Sequence, residues 1–159
     1  MKVTVADVIQ IMEAIAPISL AEDWDNVGLQ AGEKGWPVEK IWIALDPTPE
    51  VVSVACENKV DLLITHHPLI FSPLKMVDFS EPLGNIIRLA GNHKMAIFSA
   101  HTNLDNARNG LNDILAKKIG LKDTKVLKQT SSIGGINFTA HSGDIDSLSL
   151  KTYGLRVDS

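Results

Sequence analysis

The chain has 159 residues, of which 45% are apolar and 21% are charged, and its formal net charge is −4. This composition is ordinary for one globular domain and argues against wholesale disorder, and the absence of a basic excess disfavours nucleic acid as a partner. The single cysteine, Cys56, excludes an intrachain disulfide framework, and its helical context predicts a small core residue.

The N-terminal stretch predicts a helix rather than a targeting segment. Thr4 is a suitable N-cap, apolar residues recur at helical spacing from Val5 to Ile15, and Pro17 ends the run. The stretch carries acidic residues and no cleavage-site pattern, and no apolar run approaches the ~18 residues of a membrane span. We therefore expect a cytoplasmic protein with no membrane partner.

The segment from residue 39 to residue 68 predicts a βαβ unit. Residues 41–45 form an apolar run of strand length, Thr48 and Pro49 are typical of a helix start, and residues 60–64 form a second apolar run. Continuous apolar strands joined through a helix indicate parallel pairing with both faces buried. A short strand is also expected before this unit, at residues 27–31.

The same alternation continues further along the chain. Ser80 is the predicted N-cap of a helix that ends near residue 94, and residues 95–100 are a third apolar strand. A further helix at residues 109–119 ends at Gly120 with two lysines in its last turn, as expected for a C′ glycine. Weak strand patterns follow at residues 124–129 and 136–138. The fold class is therefore α/β, with βα repeats and a mainly parallel sheet flanked by helices.

Candidate metal ligands follow two of the predicted strands, at the point where each strand ends. The strand DLLIT leads into His66 and His67, and the strand MAIFSA leads into HTNLD, residues 101–105. Because ligands of an open parallel sheet bind outside the carboxyl ends of its strands, the two loops would share one crevice if the strands are neighbours. Imidazole and carboxylate groups are donors that zinc, iron, nickel and manganese accept.

The two adjacent histidines also have a simpler interpretation, because histidines in loops are usually solvated turn residues. Consecutive side chains of an extended strand point to opposite sides, so His66 and His67 would not chelate one ion unless the strand has already ended. They suit two ions better, with a carboxylate such as Asp105 nearby. Two metal ions about 3.5–4 Å apart can deprotonate a water at neutral pH and hold an attacked centre from both sides.

The stretch WDNVGLQ, residues 24–30, is a second unusual feature. Asp25 and Asn26 suit a tight turn, and Gly28 permits a positive φ. One interpretation is a structural corner with Trp24 as a lid over the core. The alternative places Asp25 or Asn26 at the rim of the crevice that holds the histidines.

Three stretches together resemble the Nif-three-like family, also known as GTP cyclohydrolase I type 2 homologues. They are DWDNVGLQ at residues 23–30, DLLITHHPLIF at residues 61–71 and SAHTNLD at residues 99–105. One motif alone would be weak, but three in this order, joined by the βα pattern, are specific. The resemblance covers residues 1–128.

The resemblance implies a Nif-three-like fold, a dinuclear site of divalent metal ions and assembly into a toroidal homohexamer. By motif match, His66 and His67 correspond to the paired histidine ligands and Asp105 to the carboxylate ligand. His101 would lie outside the ligand set or face the substrate, and we expect His101 and Asp25 to be the catalytic residues that orient it. Zinc, iron, nickel and manganese all suit these donors.

One departure from the family pattern concerns the end of the chain. Family members are longer and carry a further His and a Glu that complete the site, whereas this chain ends at Ser159. We therefore divide it into a metal-binding domain, residues 1–128, and a divergent or truncated tail, residues 129–159. With fewer ligands we expect weaker, single-ion binding and reduced or absent catalysis. A missing neighbour strand would expose an apolar sheet edge and favour self-association.

Two functions stay open on the sequence. The first is a dinuclear metal-dependent hydrolase of the GTP cyclohydrolase type 2 kind, in which a metal-activated water attacks a small-molecule substrate such as a nucleotide. The second is a non-catalytic metal-binding scaffold or regulatory interaction protein. Nucleotide binding without a metal is disfavoured, because no Gly-rich phosphate loop follows any strand.

Overall fold

Residues 2–126 and 141–144 are described by the computed structural model of the protein. They fall into two units, residues 2–104 in the first and residues 105–126 and 141–144 in the second. The first unit contains α1 (Val5–Ile15), β1 (Gly28–Ala31), β2 (Ile41–Ala44), α2 (Pro49–Glu57), β3 (Leu62–Thr65), α3 (Pro82–Asn92) and β4 (Ala96–Ser99). The short helix α4 (Thr102–Asn106) crosses the boundary, and the second unit contains α5 (Leu111–Lys118), β5 (Lys122–Val126) and β6 (His141–Asp144). None of the helices in these two segments is long and apolar enough to cross a bilayer.

The first unit is built on a four-stranded sheet in the order β1-β4-β3-β2. The strands β2, β3 and β4 are parallel, and β1 is antiparallel to β4. This confirms the predicted α/β class with a mainly parallel sheet. Leu62 lies beside Ala96 and Thr65 beside Ser99, so β3 and β4 end at the same edge of the sheet.

Helices cover both faces of the two central strands. Leu62 and Ile64 of β3 pack with Val5 and Val8 of α1 on one face. Leu63 points to the other face, where it joins apolar side chains of α2 and α3. Cys56 belongs to that second cluster and is 4% exposed, which confirms the predicted core role.

The starts of the helices follow the predicted N-cap residues in two cases out of three. Thr4 and Asp7 form a capping box at the start of α1, and the Thr48 side chain accepts the Val51 N–H at the start of α2. The prediction that Ser80 caps α3 is wrong. Glu81 is the N-cap, without a side-chain cap bond, because the N–H and hydroxyl of Ser80 both donate to the Asp78 carboxylate, at 2.9 and 2.7 Å.

The expectation that the parallel strands are buried on both faces is wrong for β2. This strand lies at the edge of the sheet, and Ile43 is 82% exposed although it lies beside the buried Ile64 of β3. Ile41 and Leu45 are also exposed. The described part of the chain thus leaves one apolar face of β2 uncovered.

The second unit has a helix and a two-stranded antiparallel pairing. The helix α5 ends as predicted at Gly120, whose φ is +79°, and the N–H groups of Gly120 and Leu121 donate to the carbonyls of Lys117 and Ala116. The strand β5 begins before the predicted position and pairs with β6. The predicted strand at residues 136–138 lies outside the described residues.

Candidate metal centre

The side chains of His66, His67 and His101 converge at the carboxyl end of β3 and β4. Each offers a ligand atom, and these atoms all lie within 4.8 Å of one another. The ring centroids of His66 and His67 are 5.0 Å apart, and that of His101 lies 5.0 Å from His66 and 5.6 Å from His67. The two adjacent histidines share one cluster because β3 ends at Thr65, so the alternation of a strand no longer applies to them.

Two buried hydroxyl groups hold the backbone of the histidine pair. The Thr65 hydroxyl donates to the His67 carbonyl at 2.8 Å, and the Ser99 hydroxyl donates to the His66 carbonyl at 2.9 Å. Thr65 is 1% exposed and Ser99 is 0% exposed. The His66 N–H donates to the Ala44 carbonyl of the neighbouring strand. The turn after β3 is therefore fixed by the sheet and does not depend on the imidazole rings.

Each of the three rings has its Nδ1 next to an oxygen atom. The contacts are His66 Nδ1 to the Ala100 carbonyl at 3.0 Å, His67 Nδ1 to Asp46 Oδ1 at 2.6 Å, and His101 Nδ1 to Asp25 Oδ1 at 3.0 Å. Carbonyl and carboxylate oxygens only accept hydrogen bonds, so each Nδ1 carries a hydrogen in these contacts. In a neutral imidazole that tautomer leaves the Nε2 lone pair as the donor to a metal ion.

Asp25 lies behind His101, and its side chain has no exposed area. Besides His101, it accepts hydrogen bonds from the Thr102 N–H at 3.0 Å, from the Thr102 hydroxyl and from the Asn26 N–H at 2.8 Å. Burial alone would raise the pKa of Asp25, but the hydrogen bonds from His101, Thr102 and Asn26 outweigh it and lower the pKa below its usual value. Asp25 is therefore a buried carboxylate that orients an imidazole.

Asp46 holds His67 in the same way but from a half-exposed position, with 47% of its side chain exposed. The sequence analysis missed this residue. It directly follows the strand β2 and Leu45, at the same edge of the parallel sheet as His66 and His67. The strand-end argument that selected the histidines would have selected Asp46 too.

The stretch WDNVGLQ connects two loops of the site. The Asn26 side-chain amide donates to the Ile70 carbonyl at 2.5 Å, and the Gln30 side-chain carbonyl accepts the Ile70 N–H at 3.1 Å. Trp24 is 58% exposed, so it does not act as a lid over the core. Its ring contacts Phe71 instead, at a centroid distance of 5.9 Å. The interpretation that places Asp25 at the crevice agrees with this geometry.

Asp105, the predicted carboxylate ligand, lies in α4 and is the first residue of the second unit. It takes part in a hydrogen bond or another polar interaction within the protein. Its assignment as a metal ligand stays a prediction, as do the catalytic roles of His101 and Asp25. His101 was expected outside the ligand set, but its ring shares the cluster with His66 and His67. His93, at the C-cap of α3, is exposed as expected and belongs to no ligand cluster among the described residues.

The donor set of this cluster suits a divalent transition metal ion. Three imidazoles are a frequent ligand set of such ions, and the remaining coordination positions would stay open. Two of the three rings are backed by carboxylates, an arrangement that sets the ring orientation and raises the basicity of the ligand nitrogen. The residues present therefore fit a metal ion, although they identify neither the metal nor the number of ions.

A comparison with known families decides what these motifs belong to. Residues 3–155 match the model of the family described as Duf34/NIF3 (NGG1p interacting factor 3). The chain belongs to the Duf34/NIF3 family. The Nif-three-like resemblance of the sequence motifs is thereby confirmed.

Relatives within the Duf34/NIF3 family agree in sequence and fold. A "GTP cyclohydrolase 1 type 2 homolog" of Listeria innocua is 43% identical over 120 residues, which is 76% of this chain and 32% of the relative. A Bacillus cereus protein related to NIF3 has a TM-score of 0.76 at 40% identity and covers 82% of this chain and 36% of its own. Reduced HcgD from Methanocaldococcus jannaschii has a TM-score of 0.76 at 35% identity and covers 82% of this chain and 52% of its own. The chain thus spans about a third of the length of the Listeria relative.

Proposed function

We propose that this Duf34/NIF3 chain binds a divalent metal ion through His66, His67 and His101 and uses it to hydrolyse a small-molecule substrate. The observation that carries the proposal is the convergence of the three rings, whose ligand atoms all lie within 4.8 Å of one another. Each ring also has its Nδ1 next to an oxygen acceptor, which leaves Nε2 to coordinate a metal ion. The exposed His93 has a similar contact, from its Nδ1 to the Leu89 carbonyl, so the convergence and not the contact distinguishes the cluster. We further propose Asp105 as a ligand and a dinuclear centre.

A bound divalent ion lowers the pKa of a coordinated water and thereby supplies a nucleophile at neutral pH. The residues of the chain have other tasks. Asp25 and Asp46 hold the rings of His101 and His67 and keep their protons on Nδ1. Thr65 and Ser99 fix the backbone of the histidine pair. His67, with 44% of its side chain exposed, lies on the side from which a substrate would approach.

The name "GTP cyclohydrolase 1 type 2 homolog", carried by relatives of this chain, supports a nucleotide as the substrate class. The test is to incubate zinc- or manganese-loaded protein with GTP and to follow ring opening and phosphate release by absorbance and mass spectrometry. We expect product with the wild-type chain and none with the His66→Ala/His67→Ala variant. The His93→Ala variant, which changes a histidine outside the cluster, should retain activity.

A second candidate function, a metal-binding scaffold without turnover, is favoured by the uncovered apolar face of β2. Ile41, Ile43 and Leu45 are exposed side by side on that face. We propose that a second copy of the chain covers it in a homo-oligomer, and the toroidal hexamer that the family resemblance implies is one such assembly. Metal binding with no product from GTP, together with association that Ile43→Lys abolishes, would select this function over the hydrolase.

A further inference from the structure

Trp24 and Phe71 are large aromatic residues that contact each other although both are largely exposed. Trp24 is 58% exposed and Phe71 is 56% exposed. Their ring centroids are 5.9 Å apart and the ring planes are inclined by 48°. Aromatic side chains contribute most to stability when they are buried, so a contacting pair that is left largely in solvent indicates a binding surface.

The aromatic pair lies beside the histidine cluster. The Trp24 ring contacts His101 edge to face, with a centroid distance of 6.2 Å and an interplanar angle of 76°. Trp24 is therefore an exposed aromatic ring in direct contact with one of the three histidines. Phe71 contacts the Trp24 ring and thereby enlarges the aromatic surface that Trp24 presents next to the cluster.

The backbone next to each aromatic residue is held by hydrogen bonds with residues of the site. Asp25, which follows Trp24, is hydrogen-bonded to His101 and Thr102. Ile70, which precedes Phe71, is held at its carbonyl by Asn26 and at its N–H by Gln30. The two rings are thus presented in a fixed relation to the histidines before any ligand arrives, which reduces the entropic cost of binding.

We propose that Trp24 and Phe71 bind the planar ring of the substrate, of the nucleobase class, by stacking, while the histidine cluster lies at the reactive end. This inference rests on the proposed function, which places the reaction at the histidine cluster. It adds Trp24 and Phe71 as the residues that recognise the planar ring of the substrate. Stacking on aromatic side chains suits any nucleobase and contributes about 1–3 kcal/mol per base, so removing one ring should weaken binding by about 5-fold or more.

The experiment measures binding of guanosine and of inorganic triphosphate to the zinc-loaded full chain by calorimetry. The variants are Trp24→Leu and Phe71→Leu, with Trp24→Phe as the conservative replacement. Phe79→Leu is the matched control, because Phe79 has the same exposed fraction, 56%, and lies outside the ring contacts that the described residues make with the histidines. Zinc stoichiometry and the circular dichroism spectrum of each variant report whether the metal site and the fold are intact.

We expect guanosine binding to weaken about 5-fold or more in Trp24→Leu and Phe71→Leu. It should stay within about 2-fold of wild type in Trp24→Phe and Phe79→Leu, and triphosphate binding should not change in any variant. Guanosine binding that is equal in wild type and Trp24→Leu, or a change of oligomeric state in place of a change in binding, would overturn the inference. If the wild-type chain binds guanosine but no zinc, and Trp24→Leu weakens that guanosine binding, the result would uphold the ring site and refute the proposed metal chemistry.

Discussion

Replacing Asp25 by Asn tests whether the buried carboxylate both stabilises the fold and orients His101. The side chain is fully buried and accepts four hydrogen bonds, two of them from backbone N–H groups. Asparagine keeps one of the two side-chain oxygens, but its NH₂ group replaces the other and faces the hydrogen-bond donors that the carboxylate accepted. If that group faces Thr102, the Thr102 N–H loses its acceptor. If it faces His101, the ring must change tautomer, which places the hydrogen on Nε2.

The magnitude follows from these contacts. One buried N–H without an acceptor costs about 1–3 kcal/mol, and each remaining bond changes from a charged to a neutral acceptor at a cost of up to about 1 kcal/mol. We therefore expect Asp25→Asn to lower the free energy of unfolding of the metal-free protein by about 2–4 kcal/mol. The affinity for zinc should fall by about 10–100-fold, the usual effect of losing a partner of a ligand histidine.

The matched control is Asp46→Asn, which removes the carboxylate behind His67. Because this side chain is 47% exposed, the stability change should stay within about 0.5 kcal/mol, while the zinc affinity should again fall by about 10–100-fold. Urea unfolding followed by circular dichroism gives the stability, and competition with a chromophoric chelator gives the affinity. Equal stability losses in the two variants, or unchanged zinc affinity in Asp25→Asn, would refute the reasoning.

Two further predictions concern packing away from the site. Gly32→Ala should destabilise the protein by about 2–4 kcal/mol, because Gly32 has a φ of +106° and a Cβ there would lie 2.9 Å from Ala96. Gly91→Ala, in the exposed part of α3, should stabilise the protein by about 0.5–1 kcal/mol. Chemical denaturation measures both changes, and equal effects of the two substitutions would contradict the packing around Gly32. Burial, with a smaller contribution from Glu57, raises the pKa of the Cys56 thiol. A thiol reagent at pH 8 should therefore label native protein about 100-fold more slowly than protein in urea, and similar rates would show that α2 does not stay packed.

The order of elements could be read from the sequence because the central strands and the helix starts carry strong local signals. The apolar runs of β3 and β4 and the Thr48–Pro49 helix start are patterns of a few consecutive residues, so they can be recognised without knowledge of the tertiary contacts. The exposure of β2 could not be predicted in this way. Whether Ile43 is buried depends on what covers the edge of the sheet, and local composition does not contain that information.

The candidate site could be predicted in part, because the ends of the central strands can also be recognised from local sequence patterns. The ends of β3 and β4 indicated the loops that carry His66, His67 and His101. The partners of the rings were harder to find, because Asp46 and Asp25 are 21 and 76 residues from the histidines they contact. A lone Asp before a proline is also typical of an ordinary turn. The parallel pairing of β2 with β3, which the βαβ pattern predicts and the structure confirms, places Asp46 at the same sheet edge as His67, so the strand-end argument could have found it.

Zinc titration of the metal-free full chain tests the central claim most directly. The account predicts at least one zinc ion bound per chain by the wild type and by His93→Ala. Binding should be lost in His66→Ala/His67→Ala, and in His101→Ala the affinity should fall by more than the roughly 10–100-fold cost of removing an outer partner. A wild-type chain that binds no zinc, iron, nickel or manganese, or a double variant that binds zinc as well as the wild type, would contradict it.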